Sequence, residues 1–523
     1  MYRSKQSARV LLRKNTVASI VLGLHRLHSL GNKWVLSFCR ENQRPFYPIQ
    51  SASGALAQPT TPPVRLQSGV PDCTHLIISG CFLFMERSKS TGIQPYFTTS
   101  PFLWDINCCT ALNLSENRRI IKETKKGGKF MNTLIELYDE RAIENILAPD
   151  MFRPQRIIYL CPEDMAQDRS RQDKLRAFFQ RRGWEPELIF MTASLFKADR
   201  ILRQLMSIGE KYPDCAVDVT GGSDAALFAA GMFSAQTGAP AFTYSRKKNR
   251  FYDISGAAFA DDLYCTLSYS VEDFFLMAGG TLLPGRVDNA VLEKYLEDFD
   301  PFFDCFLRFR RDWSDIISYI QKVSPGEYGQ TPPLSVEGKY TVKGDHGARN
   351  SANEAALRAL SRIGFLQDLR IVSGESVSFR FRDHNIRAWL RDVGSVLELY
   401  VYKACVDAGI FNDVISSAVV RWDDTLGHGS ILNEIDVMAA RGVIPLFLSC
   451  KATDIKTEAL NELAILRDRF GGKGAKATIV TTEPCNAAAR HRAAQLGIAV
   501  IDLEELKNDQ LVHRLKVIMK AEA

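Results

Sequence analysis

Two short strings constrain this chain more than any others: Asn433-Glu434-Ile435-Asp436-Val437 and Ser449-Cys450-Lys451. Each reads as part of a β-strand, with a tight turn at Ala440-Arg441-Gly442 between them. Side chains alternate along a strand, so Glu434 and Asp436 share one face, and Ser449 and Lys451 share a face of the next strand. Taken singly, a Glu-x-Asp pair reads as a solvated strand surface and a lysine as a surface lysine. Together, two carboxylates and an amine on one sheet surface are what metal-assisted phosphodiester cleavage requires. The carboxylates hold a hard divalent cation, and the lysine neutralises charge or orients the attacking water.

A third piece lies upstream. The stretch from Gly394 to Cys405 has apolar residues at helical spacing, with Glu398 on or beside the face that packs inward. A carboxylate there is costly unless it is paired or binds metal. The order helix-Glu398, strand-Asp436, strand-Lys451 resembles the PD-(D/E)xK nuclease core, the restriction-endonuclease-like fold. Downstream, a helix over 456–470 ending at Gly471-Gly472, a strand over 477–482, a helix near 485–496 and a strand over 498–502 complete a mixed αβ sheet. One position departs from the motif: the residue two before the lysine is Ser449, where the family carries Asp or Glu. A serine hydroxyl is a poor metal ligand, and Glu434 can supply the missing carboxylate from the neighbouring strand. The resemblance implies Glu398 and Asp436 as metal ligands, Glu434 assisting, and the Cys450 carbonyl as a backbone ligand. Oxygen donors suit Mn2+ or Mg2+ rather than zinc.

At 523 residues the chain is too long for one core. Its composition, 46% hydrophobic and 24% charged, is that of a globular protein. No apolar run approaches the roughly 20 residues of a membrane-spanning helix. The 12 cysteines are scattered, with no CxxC pair, which argues for reduced thiols in the cytoplasm and against a zinc cluster or disulfide framework. The net charge of +6 is uneven. Residues 1–130 hold 18 Lys+Arg and 6 Asp+Glu, a balance of +12; the remainder holds 66−18 = 48 basic and 60−6 = 54 acidic residues, a balance of −6. A basic surface spread over the whole protein, as duplex binding would favour, is therefore not supported.

The first quarter lacks sustained periodicity and carries a Gln/Pro/Thr-rich stretch at 50–66. Its basic, acid-poor start is compatible with a transit peptide. A different reading is preferred: Lys125-Lys126-Gly127-Gly128-Lys129-Phe130-Met131 is what a purine-rich ribosome-binding site yields when translated in frame, so Met131 is the expected start and 1–130 a non-native or disordered extension. Tryptic peptides from 1–120 in the native protein would exclude this.

From Met131 strands and helices alternate: strands over 156–160, 188–191, 215–218 and 241–244, helices over 168–182, 195–211 and 225–237, and an extended segment at 251–254. That alternation implies a parallel sheet of Rossmann type. Asp218-Val219-Thr220-Gly221-Gly222-Ser223-Asp224 sits at a strand end before a helix. Two glycines there let backbone N–H groups approach an anion, and Thr220 and Ser223 add hydroxyls. It matches neither the dinucleotide fingerprint nor a P-loop. It resembles the ligand loop of CARF domains, the CRISPR-associated Rossmann fold that senses cyclic oligoadenylates. Asp224 departs from that pattern, standing where Lys or Arg is common, which suits a ribose hydroxyl or adenine amine better than a phosphate. Arg246, Lys247 and Lys248 are possible phosphate partners or simply a solvated basic hairpin.

Between these parts, a helix over 352–363 followed by a hairpin turning near Gly374 suggests a small winged-helix unit, read as a structural connector. The expected organisation is thus 131–285 sensor, 286–390 connector and 391–523 nuclease. As a whole it resembles the card/can type of CRISPR type III ancillary nuclease. That resemblance implies a homodimer binding cyclic tetra-adenylate through Thr220, Gly221, Gly222, Ser223 and Asp224. It implies cleavage of single-stranded RNA or DNA, or nicking of duplex, through Glu398, Glu434, Asp436 and Lys451. A non-catalytic sensor with a degenerate nuclease domain, and a restriction-type enzyme without a second messenger, stay open as alternatives.

Overall fold

The computed structural model describes residues 131–520 except 195, 285–287, 327–330, 345–348 and 423–430. Of residues 1–130 it describes the strands β1 (Leu22–Leu30), β2 (Lys33–Arg40), β3 (Leu76–Ile78) and β4 (Cys81–Leu83), paired as two antiparallel hairpins. The reading of Met131 as the start otherwise concerns residues outside the described ones.

A sheet of order β11-β10-β9-β8-β5-β6-β7 forms the first module. Its strands are β5 (Thr133–Leu137), β6 (Arg156–Cys161), β7 (Glu187–Thr192), β8 (Cys215–Asp218), β9 (Ala241–Ser245), β10 (Arg250–Asp253) and β11 (Leu263–Tyr264). The strands from β9 to β7 run parallel, as expected of a Rossmann-like fold, and β10 and β11 add an antiparallel edge. β5, which the sequence reading did not anticipate, and β8 are buried along their whole length. Helices α1 (Glu144–Phe152), α2 (Arg169–Arg181), α3 (Ala198–Lys211) and α4 (Asp224–Thr237) cover the faces. On α3 the buried residues Ile201, Leu205 and Ile208 recur at helical spacing, packing with Ile135, Ile158 and Val217 of the sheet.

A six-stranded sheet of order β12-β18-β19-β20-β21-β22 forms the last module. It comprises β12 (Gly280–Leu283), β18 (Asp413–Trp422), β19 (Leu432–Arg441), β20 (Ile444–Lys451), β21 (Lys476–Thr481) and β22 (Ile498–Ile501). Helices α9 (Ser395–Asp407), α10 (Thr457–Phe470), α11 (Ala487–Gln495) and α12 (Leu511–Lys520) accompany it. The helices and strands expected after 456 are present within a few residues. Two strands were not anticipated. β18 escapes notice, and β12, assigned by sequence to the sensor, is hydrogen-bonded antiparallel to β18. Gly280 suits that position because a Cβ there would lie 2.7 Å from Phe470.

Between the two lie α6 (Leu296–Arg308), α7 (Trp313–Val323), β13 (Ser335–Lys339), the short hairpin β14 (Thr341–Lys343) and β15 (Arg349–Ser351), then α8 (Glu354–Arg362), β16 (Leu366–Val372) and β17 (Ser376–Phe381). The expected hairpin is β16–β17, with Gly374 at φ +80°, and β13 joins it in a three-stranded sheet. This region does not hold the outer modules apart. Helix α5 (Val271–Ala278) packs between them, and one apolar core runs from Tyr159 and Phe178 through Phe274 and Phe275 to Met438, Phe447 and Phe470. Phe275 and Phe470 meet edge to face with centroids 5.2 Å apart.

Candidate functional sites

The β19–β20 ladder runs from Arg441–Ile444 to Val437–Leu448, while β20 stays paired with β21 as far as Lys451. The two strands therefore part at Asp436 and Ser449. The Asp436 carboxylate fills the fork: its Oδ2 accepts the Cys450 N–H at 2.6 Å, the Ser449 hydroxyl at 3.2 Å and the Lys451 ammonium at 3.4 Å. Three donors on one oxygen pin this carboxylate at the sheet surface. Glu434, Asp436, Ser449 and Lys451 line one small cavity of about 40 Å³, together with Glu462 and Leu463 of α10. That is room for about one or two waters.

Glu398 lies in the first turn of α9, among Leu397, Leu399 and Val401. Burial pushes its carboxyl up to about 8; the negative charges of Asp436, Asp392 and Glu434 add to this, and Lys451 opposes it. Thus α9, β19 and β20 bring Glu398, Glu434, Asp436 and Lys451 within electrostatic reach of one another. Among the described residues, however, no three His, Cys, Asp or Glu groups converge closely enough to hold a metal ion. The residues fit a hard divalent cation in kind, since their donors are oxygens and their mutual repulsion favours a positive partner. Sequence reasoning did not find Ser449 as a holder of Asp436, or Glu462.

The second site is the loop between β8 and α4. Asp218 is fully buried, and its Oδ1 accepts the Thr220 N–H at 2.8 Å and the Thr220 hydroxyl at 2.5 Å. Thr220 Oγ1 in turn accepts the Tyr244 N–H at 2.9 Å. The Thr220 hydroxyl, expected as a ligand donor, is thus turned inward and shapes the loop. Gly222 has φ +97°, and a Cβ there would lie 2.7 Å from Leu137 Cβ. Ser223 caps α4 by accepting the Ala226 N–H at 3.3 Å, and Asp224 is exposed in the first turn. Arg246 is tied to the buried Glu144 rather than left as a solvated hairpin residue.

Beneath the loop lies a feature the sequence reading passed over. Glu136 on β5 is opposite Asp218 on β8, and both are buried. Burial drives both carboxyls up, Asp218 to about 7 and Glu136 well above its ordinary value; Glu136 is raised further by Asp218 and Glu144. Glu136 Oε1 and Asp218 Oδ2 meet no conventional donor, and a proton held by the pair relieves both. The signal was a single Glu inside the apolar Thr-Leu-Ile-Glu-Leu strand.

Neither a family model nor a curated protein matches the sequence. Solved structures do match. Protein VC1899 from Vibrio cholerae aligns with TM-score 0.59 at 17% identity, over 75% of this chain and 99% of that one. Can2 from Sulfobacillus thermosulfidooxidans, in complex with cyclic tetra-adenylate, aligns with TM-score 0.54 at 16% identity, over 75% and 98%. The chain has a Can2-type fold. The fold class expected from the motifs, a CARF-like Rossmann module joined to a restriction-endonuclease-like module, is therefore the one observed.

Proposed function

We propose that this chain is a divalent-metal-dependent nuclease switched on by cyclic tetra-adenylate, acting in type III CRISPR antiviral defence in the cytoplasm. The observation that carries the reading is the fork at Asp436. One carboxylate oxygen held by the Cys450 amide and by Lys451, beside the half-buried Glu398, is suited to phosphodiester chemistry. Bound Mn2+ or Mg2+, held by Glu398, Asp436, Glu434 and the Cys450 carbonyl, would polarise the scissile phosphate and activate water. The chain's own residues do the rest. Ser449 and Cys450 fix Asp436 in orientation, and Lys451 offers positive charge where negative charge develops on the phosphate. Single-stranded RNA or DNA, or one strand of a duplex, is the proposed substrate.

The loop at 220–224, with its glycine-dependent backbone at the start of α4, supports an anionic ligand. Beside it α4 exposes Leu227, Phe228 and Met232, with Phe228 65% exposed. A second copy laid on this apolar face by a two-fold axis would bury it and bring both loops together, which supports a homodimer around a symmetric cyclic ligand. Among the described residues no helix is long and apolar enough to cross a membrane.

A second reading is a sensor whose nuclease module only binds nucleic acid or a partner. Ser449, standing where the resembled motif carries an acid, favours it. The full chain incubated with labelled single-stranded DNA, RNA and plasmid, with and without cyclic tetra-adenylate, in manganese and in magnesium, separates the two. Ligand-dependent cleavage supports the nuclease; ligand binding with intact substrates supports the passive sensor.

A further inference from the structure

The loop at 471–474, between α10 and β21, leans on the sensor module. Gly472 and Gly474 adopt φ +68° and +84°, and Cβ atoms there would lie 3.4 Å from Ile143 and 3.0 Å from Arg246. Lys473 stands between them. Its backbone N–H donates to the buried Glu144 at 3.3 Å, and its ammonium donates to Asp139 Oδ2 at 3.1 Å and to the Thr220 carbonyl at 3.4 Å. Asp139 underlies the ligand loop, since a Cβ on Gly221 would lie 2.9 Å from Asp139 Cβ. A cation of the nuclease module is thus bonded both to the ligand loop and to the carboxylate beneath it. The Lys473 side chain is 37% exposed, so its ammonium changes partners without first leaving a dry interior.

We propose that Lys473 is an anion-sensing residue of the ligand pocket, supplied by the nuclease module. A ligand phosphate seated at 220–223 draws the ammonium away from Asp139, and the 471–474 loop moves with it. The path onward is short. α10 lines the catalytic cavity through Glu462 and Leu463, and β21 pairs with β20 at Ser449 and Lys451. A displacement of this loop therefore bears on the elements that carry the site, without passing through the 286–390 connector. The proposal rests on the cyclic-oligoadenylate reading of the sensor.

The test is calorimetry of cyclic tetra-adenylate on the full chain, with Lys473→Ala, Lys473→Arg and Asp139→Asn. Loss of a charge-assisted contact to phosphate weakens binding about tenfold or more in Lys473→Ala. Lys473→Arg restores most of that loss. Asp139→Asn binds more tightly than wild type, because the resting competitor for the ammonium is gone. The ligand concentration giving half-maximal cleavage shifts in step with each dissociation constant. Equal affinity in Lys473→Ala and wild type overturns the proposal, as does weakened binding in Asp139→Asn. If Lys473→Ala fails to fold, Asp139→Asn decides alone, since damage does not tighten binding. A wild-type chain that binds no cyclic tetra-adenylate ends the sensor reading itself, and this proposal with it, before any variant is compared.

Discussion

The Cys450 amide nitrogen lies 2.6 Å from Asp436 Oδ2, at the point where β19 and β20 part. A side-chain carboxylate thus takes an N–H that a continued ladder would have given to a backbone carbonyl. The sheet ends its pairing and positions its central acid in one step.

Asp436→Asn leaves the fork an acceptor but removes the charge. Cleavage in manganese or magnesium is expected to fall to background, while binding of cyclic tetra-adenylate, measured by calorimetry, stays unchanged. Full cleavage in this variant would mean the chemistry lies elsewhere.

Lys451 is partly exposed and its pairing with Asp436 is long at 3.4 Å, so its contribution to folding is small. Lys451→Ala is expected to keep the wild-type melting temperature and lose about 100-fold or more in rate, the usual effect of removing a charge aimed at a developing negative centre. A large loss of stability with turnover retained would make this lysine structural.

Ser449 and Glu434 separate by role. Ser449→Ala removes one of the donors on Asp436 Oδ2, and a net hydrogen bond of roughly 1 kcal/mol predicts about a fivefold loss in rate. Glu434→Ala removes a carboxylate and is expected to cost far more. Equal losses in single-turnover assays would show that Glu434 does not stand in for the acid missing at 449.

The Glu136–Asp218 pair gives a pH signature. The Asp218 pKa is raised by burial from 3.8 to about 7, so the native state binds more protons than the unfolded chain between those values. Its stabilising contribution is complete below about pH 4 and is lost as pH rises through about 7. Thermal unfolding is expected at lower temperature at pH 8 than at pH 6, and Asp218→Asn, which keeps the acceptor for Thr220, flattens that dependence. A wild-type melting temperature that rises from pH 6 to pH 8, unchanged in slope by the variant, would count against the buried pair.

Gly222→Arg forces a side chain onto φ +97° and into Leu137. Strain of about 1–3 kcal/mol in the loop is expected, read as a lower melting temperature, together with loss of cyclic tetra-adenylate binding. Wild-type affinity in this variant would move the ligand away from the loop.

Much of this molecule is legible in the residues alone. Alternation along a strand reports which side chains share a face, and a tight turn returns the chain beside itself, so Asp436 and Lys451 are predictable neighbours 15 residues apart. The end of α10 near Gly471 and the Rossmann alternation are local signals of the same kind. What only the tertiary structure decided is partnership across distance. β12 pairs with β18, Glu136 lies opposite Asp218, and Lys473 reaches Asp139 from 334 residues away. Periodicity tells a residue which way to face but not what it will meet. The meeting is set by how helices and sheets pack into one shared core, and here that packing brings Lys473 of the C-terminal module to Asp139 and the 220–224 loop of the N-terminal module.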